Sequence, residues 1–172
     1  MNPDSRLRLA QIIALVDKED HHLVRVRQRL LGDDCAVGTE RLKELLADDI
    51  GIDRLKSFGA KFGRMQDTVV DKLIPAVLRE AGESLAAAID NLSRMERLEL
   101  ITSADEWLEM RGLRNRLVHE YIDRPEDLAP ALERACRFSE RMHTDYGSIR
   151  RYAVPRLRID PLENGVGGAT KR

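Results

Sequence analysis

The chain has few aromatics, few cysteines and no long apolar run, and each shortage narrows what it can be. Aromatic residues make up 4% of 172 positions, while Leu, Ala, Arg and Glu supply most of the chain, a composition that favours helices over sheets. Cys35 and Cys136 stand alone, with no Cys-x-x-Cys pair and no secreted disulfide pattern, so two buried, reduced thiols are expected. No window approaches 18 uninterrupted apolar residues, and the start "MNPDSRLRLAQ" lacks the apolar core of a signal peptide. A soluble, cytoplasmic protein without a membrane partner is the expectation. Net charge is also scarce: a formal charge of -1 and a pI near 6.4 exclude a global pull toward nucleic acid or anionic lipid, so any basic site must be local. Of the 29 basic residues, 23 are Arg, whose planar fork suits phosphate and carboxylate.

What is present is helical periodicity. The first helix is capped by Asp4 or Ser5, carries Leu9, Ile13, Val16, Leu23 and Leu30 inward, and stops near Gly32. Thr39 caps a short second helix that Gly51 ends, and a third begins about Asp53, with Pro75 marking a kink or break. Ser84 opens a fourth helix through Leu85, Ala88, Ile89 and Leu92. Ser103 and Glu106 stand at capping-box spacing and open a fifth, which must end before Pro125. A sixth runs from about Glu126 with Leu128, Leu132, Phe138, Met142, Tyr146 and Ile149 inward. The fold class is therefore all-α, an up-and-down bundle with accessory helices over residues 1–154, followed by a flexible tail over 155–172.

The chemistry concentrates in "LRNRLVHEYIDRPEDL", Leu113 to Leu128. Arg114 precedes His119 by five positions, a spacing that Arg137 and His143 approach by chance; Asn115 and Tyr121 distinguish the first pair. On a helix Asn115 and His119 share a face, as do Arg114 and Tyr121, while Arg114 and His119 diverge by about 140°. Both faces are otherwise apolar, and burying such groups unpaired would cost several kcal/mol. They line a cleft or meet a partner surface, and a two-fold dimer would bring one copy's arginine near the other's histidine. A cluster of mutually satisfied polar groups is the plainer alternative.

"RNRLVHEY" resembles the Arg-x4-His-x-Tyr motif of the HEPN superfamily, specifically the HepT-like toxins of HEPN/minimal nucleotidyltransferase toxin-antitoxin pairs. "FGRMQDTVVDKLIPAVL", Phe62 to Leu78, is similar to the second core helix of that group, and the likeness extends over about residues 5–150. The resemblance implies a four-helix core, a homodimer with its active cleft at the interface, and metal-independent RNA cleavage without a cofactor. It also implies a type VII-like pairing with a nucleotidyltransferase antitoxin that adenylylates Tyr121. The residue types suit that chemistry: an imidazole serves as base or acid and a guanidinium stabilises phosphate oxygens. His119 is assigned as general base or acid, Arg114 as phosphate clamp, Asn115 as the group orienting His119 or the scissile phosphate, and Tyr121 as a substrate contact. Arg111 and Arg116 add local positive potential for RNA. The rival reading is a non-catalytic HEPN-like bundle that serves as a binding subunit of a nucleotidyltransferase.

Other features read as structural. Arg64, Gln66 and Asp67 fit a solvated face better than the alternative, the edge of the cleft, His21 and His22 point about 100° apart on a charged helix, and Trp107 packs in the core or at a dimer contact.

Overall fold

The computed structural model describes residues 3–119 and 124–160, and among these it is all-helical, with no strand. The elements are α1 (Pro3–Leu31), α2 (Thr39–Leu46), α3 (Asp49–Thr68), a π-helical turn (Val69–Leu73), α4 (Ile74–Glu80), α5 (Ala88–Arg97), α6 (Ala104–His119) and α7 (Pro125–Arg156). Helices α1, α3, α6 and α7 close a ring in which each packs on the next and α7 returns to α1. Phe58, Phe62, Met65, Trp107, Met110, Leu132, Met142 and Ile149 fill its centre. Among the described residues, no helix is long and apolar enough to cross a membrane.

Several expected boundaries move, each for a local reason. Gly51 does not end α2; it lies in the first turn of α3, where the Asp48 side chain caps its N–H at 2.8 Å. A Cβ at Gly51 would fall 1.8 Å from the Leu45 carbonyl oxygen, so glycine is required by the closeness of two helix ends. Thr39 is the first residue of α2, not its cap, and Gly38 precedes it in extended geometry. Pro75 lacks an N–H and its ring crowds the carbonyl four residues back. The chain relieves this upstream, widening into the π turn that places Pro75 in the first turn of α4. Ser84 opens no helix: Asn91 bonds both the N–H and the carbonyl of Ala86 at 3.0 Å, holding the approach to α5 extended and leaving Leu85 and Ile89 exposed. Half of the capping box forms: Ser103 Oγ accepts from the Glu106 N–H at 3.2 Å, while the Glu106 carboxylate lies 3.0 Å from Arg141 Nε.

The cysteines also depart from expectation. Cys35 and Cys136 are joined as a disulfide, with Cα atoms 5.5 Å apart across 101 residues of sequence. The pairing arises because the α1–α2 connection folds back on α7, where the Val37 N–H donates to Glu133 Oε1 at 2.6 Å. Disulfides persist in oxidising compartments, so this bond lends no support to a cytoplasmic location. The segment after Val154 is likewise not loose from residue 155. The helix continues through Pro155 and Arg156, and Leu157 and Ile159 are buried beyond it; residues 161–172 lie outside the described residues.

Two polar knots bind the ring. Asp145 of α7, itself buried, accepts from the Thr102 N–H at 3.1 Å, the Thr102 hydroxyl at 2.6 Å and Trp107 Nε1 at 2.9 Å. On α1, Asp17 meets the Tyr146 hydroxyl at 2.6 Å and Arg150 Nε at 2.9 Å. Burial and the Asp17 carboxylate push the Tyr146 hydroxyl well above the usual tyrosine range. Replacing Gly51 with Ala forces the α2–α3 junction apart and should cost about 2–3 kcal/mol. Urea denaturation reads this, and an unchanged midpoint would show that the two helix ends are not in contact.

Candidate functional site

A cavity of about 1000 Å³ forms a cleft along α3 between α1 and α6. Its wall is built by α3 and the π turn, whose buried faces (Phe58, Phe62, Met65, Val69, Leu73) hold the core while the opposite face looks into the cleft. Five basic side chains line it, Lys56, Lys61, Arg64, Lys72 and Arg114, against three acidic ones, Glu19, Asp67 and Asp71. The nearly neutral chain thus carries a local excess of basic side chains in this cleft.

Of the sequence-predicted residues, the structure brings Arg114 and Asn115 into the cleft. Gly63 permits this, because Arg114 lies directly across it: a Cβ there would fall 2.7 Å from Nε and 2.9 Å from Cγ of the arginine. Arg114 Nη1 meets Asp67 Oδ1 at 2.7 Å and Oδ2 at 2.6 Å. One turn away Arg111 is 3.7 Å from Asp71, so two parallel Arg–Asp pairs clasp α6 to α3. Each pair is about half exposed and stabilises by a fraction of a kcal/mol; their larger effect is to orient. Arg116 is exposed and does not line the cleft. His119 ends α6, its side chain outside the described residues, as is Tyr121.

No family model, curated protein or solved structure matches this chain. The site therefore has to be read from its own groups.

Three of those groups were misread or missed in sequence. Arg64 and Asp67, assigned to a solvated face, line the cleft, and Gln66, assigned with them, is 1% exposed. The signal was available in part, since Gly59 and Gly63 stand one turn apart on α3 and open its surface to the facing helix. Glu19 was overlooked because it sits in the charged run "DKEDHH", which periodicity alone assigns to solvent. It is 8% exposed. Thr68 Oγ1 lies 3.1 Å from Glu19 Oε1 and 2.9 Å from the Arg64 carbonyl oxygen, and one hydroxyl proton serves only one of these acceptors. Among the described residues Glu19 Oε2 is buried without a partner, which costs on the order of 1–3 kcal/mol. Burial pushes the carboxyl above the ordinary 4.5, against the pull of Thr68, Arg64, Lys72 and Lys61.

The rival match dissolves on inspection of its contacts. His143 Nδ1 pairs with Asp20 at 2.8 Å and Arg137 lies 3.8 Å from Glu133, two separate surface ion pairs.

Two outcomes follow. In Gly63→Ala the arginine must swing off α3, while the gain in helix propensity, about 1 kcal/mol, offsets the lost pair. The Arg114 Nε–H resonance should move with little change in melting temperature, and an unmoved resonance refutes the close crossing. For Glu19 the folded pKa exceeds the unfolded one, so its contribution to stability is greatest in acid and is lost as pH rises through the raised value. Wild type should lose stability relative to Glu19→Gln between pH 4.5 and neutrality, and parallel urea-denaturation curves would refute a buried carboxyl.

Proposed function

We propose that this protein is a HEPN-like, HepT-type ribonuclease toxin that cleaves RNA without a metal at a cleft shared by two copies, and that a nucleotidyltransferase antitoxin neutralises it by adenylylating Tyr121. The observation that carries the reading is the convergence of Arg114 and Asn115 with Lys61, Arg64 and Lys72 on one cleft in a chain whose net charge is close to zero. In the reaction a base takes the 2′-OH proton, the 2′ oxygen attacks phosphorus, and the 5′ oxygen leaves with a proton from an acid. His119 supplies base or acid, and its counterpart in the second copy takes the other role. Arg114 stabilises the charge that gathers on the phosphorane oxygens, where a guanidinium contributes through paired, charge-assisted hydrogen bonds. Asn115 orients His119 or the phosphate, Tyr121 contacts the substrate, and Arg111 and Arg116 hold the flanking backbone. Asp67 sits where a phosphate oxygen would, so substrate exchanges one anion for another at Arg114.

That same Asp67 contact favours a second reading. An arginine already neutralised by a carboxylate suits a non-catalytic bundle that serves a nucleotidyltransferase as its binding subunit.

The readings part on activity. Purified wild type in EDTA should cut RNA and arrest growth when expressed alone, while Arg114→Ala and His119→Ala each lose about 100-fold or more in rate. Mixed Arg114→Ala and His119→Ala subunits should regain part of the activity if each cleft draws on both chains. A wild type that cuts nothing, or variants that cut as well as it does, would leave only the binding subunit.

A further inference from the structure

Glu19 is the element of the cleft that phosphate binding does not use. Leu15, Glu19, Lys61 and Arg64 line both the main cleft and an adjoining cavity of about 230 Å³, so they form the sill between the two. From α1, Lys18 and His22 face the smaller cavity; from α3 and the π turn, Thr68 and Lys72 face the larger. The buried carboxyl uses Oε1 on Thr68 and leaves Oε2 without a partner.

A ligand for this sill must satisfy opposite demands. The lysines and arginine above it repel a cation and attract an anion, whereas the carboxyl beneath refuses an anion and lacks a donor. A molecule with negative charge on its outer part and a neutral N–H group on its inner part meets both. A nucleotide whose base carries an exocyclic amino group has this arrangement, and carboxylate side chains are suited to accept from such amines. Uracil, which presents carbonyl oxygens instead, is disfavoured.

We propose that Glu19 is the floor of a base-reading subsite, its carboxyl turning from Thr68 into the cleft to accept a hydrogen bond from the exocyclic amino group of a nucleobase while Lys61, Arg64 and Lys72 take the adjoining phosphates. The subsite rests on the RNA-binding reading above and adds a base preference to it. It requires no cleavage, so binding alone tests it.

The experiment uses 2′-O-methyl oligonucleotides, which lack the attacking hydroxyl, as homopolymers of cytidine, adenosine and uridine. Fluorescence anisotropy on wild type should show the cytidine and adenosine strands bound about fivefold more tightly than the uridine strand, the worth of roughly one added hydrogen bond. In Glu19→Gln, nearly isosteric and able both to donate and to accept, the ratio should fall to about one. Lys61→Ala should weaken all three strands while keeping the ratio, and circular dichroism melting establishes that each variant is folded. Equal binding of the three strands by wild type overturns the subsite alone, as does a preference that survives in Glu19→Gln. Failure to bind any strand overturns the subsite and the ribonuclease reading together. A preference lost in Glu19→Gln, in a protein that cleaves no RNA, upholds the subsite while the ribonuclease reading fails.

Discussion

The placement of α6 depends on a single buried carboxylate. Asp145, enclosed on α7, receives the Thr102 N–H, the Thr102 hydroxyl and the Trp107 indole N–H, and so fixes both the turn before α6 and its first turns against α7. A buried carboxylate is tolerated only when its oxygens are satisfied, and here three donors converge from one short segment. Trp107 is the largest fully buried side chain, and its nitrogen points the helix as surely as its ring fills the core. Where α6 begins decides where Arg114 and Asn115 arrive, two turns later, over Gly63 of α3.

The cleft that results is electrostatically divided. Its basic side chains are drawn from α3, the π turn and α6, while its acids alternate with them along α3 and the π turn: Arg64, Asp67, Asp71, Lys72. Asp67 and Asp71 hold the two α6 arginines in place without a ligand. This lowers the cost of keeping like charges close, and it leaves the arginines oriented for an anion that can outcompete a half-exposed carboxylate. Glu19 differs from these acids because burial favours its neutral form. One wall of the cleft thus carries paired charges and the floor a buried carboxyl.

Much of the helical inventory was legible before any coordinates. Long stripes such as Leu9 to Leu30 and Leu128 to Ile149 place α1 and α7 correctly, because a core face must repeat with the helix turn. The Ser103 side chain caps the start of α6 for an equally local reason. Short helices were less legible. The α2–α3 junction turns on contact between Gly51 and the Leu45 carbonyl, and α5 starts late because Asn91 reaches back to Ala86. Neither contact has a periodic signature. The Arg114 and Asn115 side chains expected to carry chemistry do share the cleft, but Arg116, about 200° from Arg114 around the helix, does not line it.

By itself the sequence determined that the chain is helical, which faces are apolar, and that an arginine interrupts one of them and an asparagine another, since these follow from spacing along a single segment. Tertiary structure alone decided what those residues meet. The partners of Arg114 and Trp107 lie 47 and 38 residues away, Glu19 reaches Thr68 across 49, and Cys35 finds Cys136 across 101. Side chains so far apart are brought together by the packing of whole helices, and no local pattern encodes which charge will be buried and which will face the cleft.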